Sequence, residues 1–431
     1  MMMSALPKNS VIAKKFKYWQ IRTMVATWVG YAMFFAIRKN LGMAMPGIQL
    51  ELGITKEQLG IFISLNGIMY GISRFTNGFI VHKFTARSFI SCGLFLCAIC
   101  NIAFGFSSTL IIMGIIWILH GWVQGMGWAP NARLLPHWIP PKELATKMAR
   151  WTTSNCVGAV VSIITCSYLA TWSWRSVFYI PGSVAILVAA GIWLIIRDTP
   201  SSVGLPELSA GENYKKSDDK KKESAEYKQF INRMVFKNPY VWIISIANFF
   251  VYILRFAILD WGPMLLKEWK GMALKDAGLM LASFEISGAV GILLCGWITD
   301  KYFGGRGLRV CLITMMVASF FMFLFWRTIA APAWISSICL ICSGFCIYGT
   351  QSLILSTASN IATKRASAAA NGLVGIWGYA STVVTGWLFG LLTDIYGWQI
   401  SFKFIMLAGF IGAIVLAFAW RCKATGYDKI S

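Results

Sequence analysis

The chain has 431 residues, 57% hydrophobic and only 13% charged, with a formal net charge of +22. Soluble domains carry about 25% charged residues, so the composition excludes an ordinary soluble domain. The basicity alone would suggest a nucleic-acid partner, but the placement of the charges argues against nucleic acid and for a lipid bilayer.

The opening "MMMSALPKNSVIAKKFKYW" has no short apolar core followed by a small-residue cleavage site. It is expected to be no cleaved signal peptide, leaving insertion to the first helix. Twelve apolar stretches then follow, each long enough to cross a hydrocarbon layer of ~30 Å. Backbone groups in lipid must be satisfied internally, so each stretch is expected to be a helix. They fall at 22–45, 59–82, 88–107, 110–131, 150–170, 175–197, 241–265, 277–299, 309–327, 333–355, 367–393 and 400–421. The reading is an all-α membrane protein, with only a few polar residues dividing the third helix from the fourth.

With both termini in the cytoplasm, the inner loops and tails hold most of the 39 Lys and Arg residues. This is the asymmetry that the positive-inside rule describes. It predicts a multi-pass protein with both termini cytoplasmic, attracted to anionic lipid head groups, and the short N-terminus without a transit signature adds the expectation of a cell inner membrane. Four cations, Arg38, Lys39, Arg74 and Arg255, fall inside helices instead. The eleven cysteines show no paired spacing, as in "SCGLFLCAIC", and read as reduced small hydrophobes. His82, His120 and His137 suggest no metal cluster, and Gly-rich phosphate loops of the GxGxxG and Walker kinds are missing from the sequence. No cofactor, metal or enzymatic activity is expected.

The longest polar stretch, around "KKSDDKKKES", divides the chain into a six-helix half at 1–197, a cytoplasmic linker at 198–240 and a second six-helix half at 241–431. The halves echo each other. Arg38 is followed by Pro46 and Arg255 by Pro263 at the same spacing, and "GFIVHKF" and "GWITDKY" follow the two arginines at nearly equal distances. Six helices per half makes such a repeat parallel, related by an axis along the membrane normal. Two pseudo-symmetric six-helix halves describe the major facilitator fold, whose substrate site lies near the midplane and whose access alternates.

An arginine at a helix centre costs about 2.5–3.5 kcal/mol on insertion scales, so it normally faces a bundle interior or a watery cavity. Arg255, in "VYILRFAILDW", has apolar sequence on both sides. Its competing reading is a structural ion pair with Asp260 or Glu285. Arg38 and Lys39, in "GYAMFFAIRKN", compete with a reading as interfacial anchors if their helix ends near Asn40. Helical spacing puts Asn248, Tyr252 and Arg255 on one face, Tyr31 with Arg38 on another, and Asn66, Tyr70 and Arg74 on a third. Such faces would line a cationic cavity. The guanidinium fork matches phosphate or carboxylate oxygens, and a phosphate monoester carries about −1.5 to −2 charges at neutral pH. The residues by themselves therefore suggest an anion transporter for phosphate or carboxylate.

"GYAMFFAIRKN", "QGMGWAP", "RDTPSSVGLP", "VYILRFAILDW", "FEISGAVGILLCGWITDKYFGGRG" and "NGLVGIWGYAS", taken in order, resemble the organophosphate:phosphate antiporter family of the major facilitator superfamily. That family includes glycerol-3-phosphate and hexose-phosphate transporters, and the resemblance covers essentially the whole chain. It implies that Arg38 and Arg255 grip the phosphate of the ester and inorganic phosphate in turn. Tyr31, Tyr70, Tyr252 and Tyr348 match cavity tyrosines, and Glu285 matches an acid of the eighth helix. Lys39, Trp128, Asn248 and Asn371 complete the implied substrate site, with Asp260 and Asp300 in gating contacts. The sequence also departs from the family's patterns. Arg74 stands in "YGISRF" where bacterial members carry lysine, Asn155 in "WTTSNCVGA" where they carry histidine, and His82 where a loop acid is expected. The resemblance implies exchange of an organic phosphate for inorganic phosphate by a monomer. A sugar-phosphate sensor and a proton-coupled organic-anion carrier remain the alternatives.

Overall fold

The computed structural model describes residues 11–206, 228–328 and 330–422. The two ends of the chain and the centre of the 198–240 linker lie outside the described residues, as does the side chain of His82. Among the described residues the fold is helical throughout. The helices are α1 (Val11–Ala36), α2 (Asn40–Leu52), α3 (Lys56–Ile80), α4 (Ala86–Phe106), α5 (Leu110–Gln124), α6 (Trp128–Trp138), α7 (Pro141–Trp172), α8 (Ser176–Ile195), α9 (Pro239–Glu268), α10 (Leu274–Phe303), α11 (Gly307–Arg327), α12 (Ala333–Val383) and α13 (Phe389–Phe418).

These helices make up the twelve expected crossings. By length and apolarity alone, nine stretches among the described residues suffice to cross a membrane. The first two crossings, α1 with α2 and then α3, do not meet that criterion. The eleventh and twelfth count as one stretch, Ala369–Phe418. Thr363 and Gly397 leave helical geometry inside α12 and α13, and these turns divide the tenth, eleventh and twelfth crossings.

Local chemistry explains several boundaries. The split between α4 and α5 falls at Ser107–Thr109, where the Ser107 N–H bonds the carbonyls of Ala103 and Phe104. Thr85 caps α4 by accepting from the Ser88 N–H. Asn238 caps α9 in the same manner, with Pro239 in the first turn, where its missing N–H costs nothing. Gly304, at φ 55°, closes α10 in the left-handed conformation that glycine adopts without strain.

The first crossing differs from expectation. The sequence predicts one helix over 22–45, whereas α1 begins at Val11, stops at Ala36, and the chain turns through Ile37–Lys39 before α2 starts at Asn40. Arg38 and Lys39 lie in that turn, half-buried. Arg255, by contrast, lies well inside the 30-residue α9, which is unbroken.

The chain forms two compact units. The first comprises Met1–Asn40, Met69–Ser162 and Arg175–Lys220; the second comprises Leu41–Ile68, Ile163–Trp174 and Lys221–Ser431. Unit 1 packs around Phe34, Ile37, Ile90, Leu94, Trp138 and Trp151. Unit 2 buries most of α9, including Trp261, with Phe284, Phe325, Phe389 and Phe402. Large apolar side chains such as Leu187, Leu293 and Phe418 remain exposed, as a lipid-facing surface requires.

In unit 2, α3 runs against the chain around Gly386 at backbone contact. A Cβ at Gly60 would stand 2.3 Å from the Gly386 carbonyl oxygen. Ser64 Oγ donates to the Thr382 carbonyl at 3.0 Å and accepts from the Trp387 N–H at 2.8 Å. Residues Val384–Leu388 form one π-helical turn there, and Trp261 Nε1 donates to the Thr385 carbonyl at 2.6 Å. Beyond this seam Lys56 pairs with Glu268 at 3.1 Å, and Trp398 Nε1 donates to the same carboxylate at 2.9 Å.

Candidate substrate site

In unit 1 the cations rest on aromatic faces. The Arg38 guanidinium carbon stands 3.8 Å from the centre of the Tyr70 ring and 5.8 Å from that of Phe35. Tyr31, one helical turn before Phe35, meets it edge-on at 5.5 Å. Tyr31 also stacks on Trp151 at 4.7 Å and leans on Trp128 at 5.8 Å. Arg74 lies over Trp128 at 4.9 Å. A continuous aromatic wall therefore runs from Arg38 to Arg74. A cation over a ring face is attracted by the ring quadrupole, by up to about 2 kcal/mol when desolvated. Asn155, four residues beyond Trp151 on α7, shares that residue's face; it is half-buried, and its Oδ1 has no hydrogen-bond partner among the described residues. Lys39 stays half-buried in the turn beside Arg38.

In unit 2 the arginine is steered by an amide and a ring. Arg255 Nη1 donates to Gln351 Oε1 at 2.8 Å, and Gln351 Nε2 in turn donates to the Tyr252 hydroxyl at 2.7 Å. The same guanidinium lies over Tyr348, 4.2 Å from its centre. The Tyr348 hydroxyl donates a short hydrogen bond to the buried Glu285 carboxylate. Gly288 makes room for this tyrosine, since a Cβ there would fall 2.5 Å from its ring. Tyr252 meets Phe256 at 5.0 Å and Tyr379 at 5.9 Å, both edge-on. One turn earlier on α9, Asn248 is fully buried; its Nδ2 donates to the Val374 carbonyl at 2.9 Å, and its Oδ1 has no partner among the described residues.

The structure thus brings together Arg255, Tyr252, Tyr348 and Glu285 in unit 2, and Arg38, Tyr31, Tyr70, Trp128 and Arg74 in unit 1. Asn371 donates to Ser359 Oγ at 2.9 Å across the Thr363 turn. Asp260 is half-buried on α9, and its carbonyl would lie 2.8 Å from a Cβ placed on Gly42. Asp300 is exposed near the end of α10. Sequence reasoning missed Gln351 and Trp151. Gln351 follows Tyr348 by three residues and so shares its helix face, a signal that was there to read. Trp151 precedes Asn155 by four residues and so shares its face in the same way. Among the described residues no three His, Cys, Asp or Glu side chains gather as metal ligands.

Each cluster offers forked cations on aromatic supports, a chemistry suited to oxyanions. Comparison with known proteins agrees with that character. The chain matches the Major Facilitator Superfamily over residues 27–385. It is 33% identical to a glycerol-3-phosphate transporter of Bacillus subtilis, covering 96% of this chain and 95% of that protein. It is also 33% identical to a probable hexose phosphate transport protein of Chlamydia pneumoniae, over 96% of this chain and 94% of the relative. Identity to the membrane sensor protein UhpC of Escherichia coli is 31%, over 94% and 93%. Among solved structures, a bacterial homologue of the human lysosomal transporter Spinster superposes with a TM-score of 0.79 at 15% identity, over 96% of this chain and 99% of that one. That likeness concerns the fold alone, whereas the sequence relatives span nearly the full length of both partners. The chain therefore belongs to the organophosphate:phosphate antiporter family of the major facilitator superfamily, a family of membrane transporters and not of enzymes.

Proposed function

We propose that this chain exchanges an organic phosphate ester, glycerol-3-phosphate or a hexose 6-phosphate, for inorganic phosphate by alternating access. The observation that carries the reading is the Arg255 guanidinium, deep in an apolar helix yet oriented by a neutral amide and a tyrosine face. Arg38, its counterpart in the sequence repeat, lies on tyrosine in a like manner. A guanidinium keeps its charge when desolvated and presents paired donors to phosphate oxygens. The reading assigns each group to phosphate, first as ester and then as inorganic ion. Bound phosphate favours the closed state through its contacts with these guanidinium groups, which an empty site lacks, so exchange is obligatory. A difference of a few kcal/mol between the two cases suffices. Lys39, Arg74, Asn155 and Asn371 are proposed to contact the ester, and Asp260 and Asp300 to act in gating. The distribution of Lys and Arg supports both termini being cytoplasmic, and the membrane proposed is a cell inner membrane.

The test is counterflow of labelled phosphate in proteoliposomes against glycerol-3-phosphate, glucose 6-phosphate and phosphoglycerate. Exchange with one or more esters is expected, and Arg38→Lys and Arg255→Lys should each lose most of it while still folding. The similarity to UhpC supports a second reading as a sensor, which predicts ester binding with little exchange. Uptake that follows a pH gradient and ignores phosphate on the far side would favour a proton-coupled carrier, for which the buried Glu285 is the candidate acid.

A further inference from the structure

The turn between α1 and α2 has an origin outside its own sequence. Ile37 N–H still bonds the Met33 carbonyl at 3.1 Å, but the N–H groups of Arg38 and Lys39 both turn to the Phe35 carbonyl, at 3.2 Å each. In an unbroken helix the carbonyls of Phe34, Ala36 and Ile37 would receive the N–H groups of Arg38, Asn40 and Leu41. Here each is met by a side chain from a different helix. Gln124 Nε2 of α5 donates to Phe34 at 3.0 Å, Ser162 Oγ of α7 to Ala36 at 2.5 Å, and Asn101 Nδ2 of α4 to Ile37 at 3.1 Å. All three donors are buried. They are secured in turn: Gln124 Nε2 lies 3.2 Å from His120 Nε2, and Asn101 Oδ1 accepts from Asn40 Nδ2 at 2.6 Å. Non-helical backbone is tolerated at membrane depth where it is buried in protein or lines a watery cavity, and the three released carbonyls, each met by a buried side-chain donor, satisfy that condition.

We propose that Gln124, Ser162 and Asn101 are positioning residues for Arg38, holding this break so that the guanidinium is presented over Tyr70 instead of following the turn of an α-helix. The inference rests on the assignment of Arg38 to the phosphate. It separates the two arginines of the repeat, since Arg255 leaves an intact helix and needs no such scaffold. Removing a donor leaves a carbonyl without a partner, and the backbone recovers it by rewinding, which turns position 38 away from its present direction.

The experiment uses the full chain in proteoliposomes, with Ser162→Ala and Gln124→Met as donor deletions and Ser162→Thr as the conservative replacement. In the two deletions the half-saturating phosphate concentration should rise roughly tenfold, as for a lost buried hydrogen bond, with the maximal exchange rate retained. Ser162→Thr should behave as the unaltered protein. A second measurement needs no transport. Arg38→Cys is introduced into each background, and its reaction with a water-soluble methanethiosulfonate is followed by peptide mass spectrometry on monodisperse protein. Labelling should slow in both deletions and recover with Ser162→Thr. Unchanged labelling and unchanged half-saturation in both deletions would overturn the proposal, as would Ser162→Thr matching Ser162→Ala. Failure of the unaltered chain to exchange phosphate would instead overturn the transport reading, and the labelling would still decide whether these side chains hold the break.

Discussion

Gln351 joins two of the groups that the sequence singled out, accepting from Arg255 and donating to Tyr252. Replacing it by leucine removes a hydrogen bond to a charged group, an interaction that contributes about 1.5–3 kcal/mol. Gln351→Leu should therefore weaken half-saturation by phosphate by tenfold or more in the exchange assay; an unchanged value would show that the arginine is oriented without Gln351. Arg255→Lys keeps the charge but loses the fork, so a variant retaining full exchange would remove the reason for choosing phosphate. Arg255 was legible because a charge deep in an apolar helix is too costly to be incidental. Gln351 was not, because one amide in a membrane helix has many ordinary uses and its meaning depends on which side chain faces it. The bond from Asn371 to Ser359 likewise depends on a turn that spacing does not reveal.

Helix by helix, the crossings were legible from apolar length alone, and most boundaries moved by only a few residues. The break in the first crossing was not. "FFAIRKNLGMAM" has no proline or glycine at positions 37–39, and its cause lies in side chains of α4, α5 and α7, far along the chain. Close packing within unit 2 gives a further prediction. Because a Cβ at Gly288 would meet the Tyr348 ring at 2.5 Å, Gly288→Ala should displace that ring from Arg255 and Glu285 and reduce exchange while the fold survives. Full exchange in that variant would show that the ring's position is not needed. Thr363 supplies a stability prediction. Its φ of 66° and ψ of 164° lie in a region populated essentially by glycine. Relief of such strain is of the order of 1–3 kcal/mol, so Thr363→Gly should raise the thermal midpoint of the purified protein. A lower midpoint would show that the threonine side chain contributes more than the strain costs.

At the scale of the whole molecule, residues 41–68 of the first sequence half belong to the same compact unit as the second half. The seam at Gly60, Ser64 and Gly386 joins them, and the Lys56–Glu268 pair lies beyond it. Gly60→Ala should force this seam apart, because its new methyl group would overlap the Gly386 carbonyl. Ser64→Cys in that background should then react faster with an impermeant thiol reagent, and exchange should slow. Labelling no faster than with Gly60 intact would show that the seam accommodates the methyl. What glycine provides at this point goes beyond space. Where main chain meets main chain there are no long side chains to freeze into single rotamers, so little motional freedom is surrendered when the surfaces meet or regained when they part. Under the alternating access proposed above, such a join would part and re-form at each turnover with neither form strongly favoured by side-chain ordering.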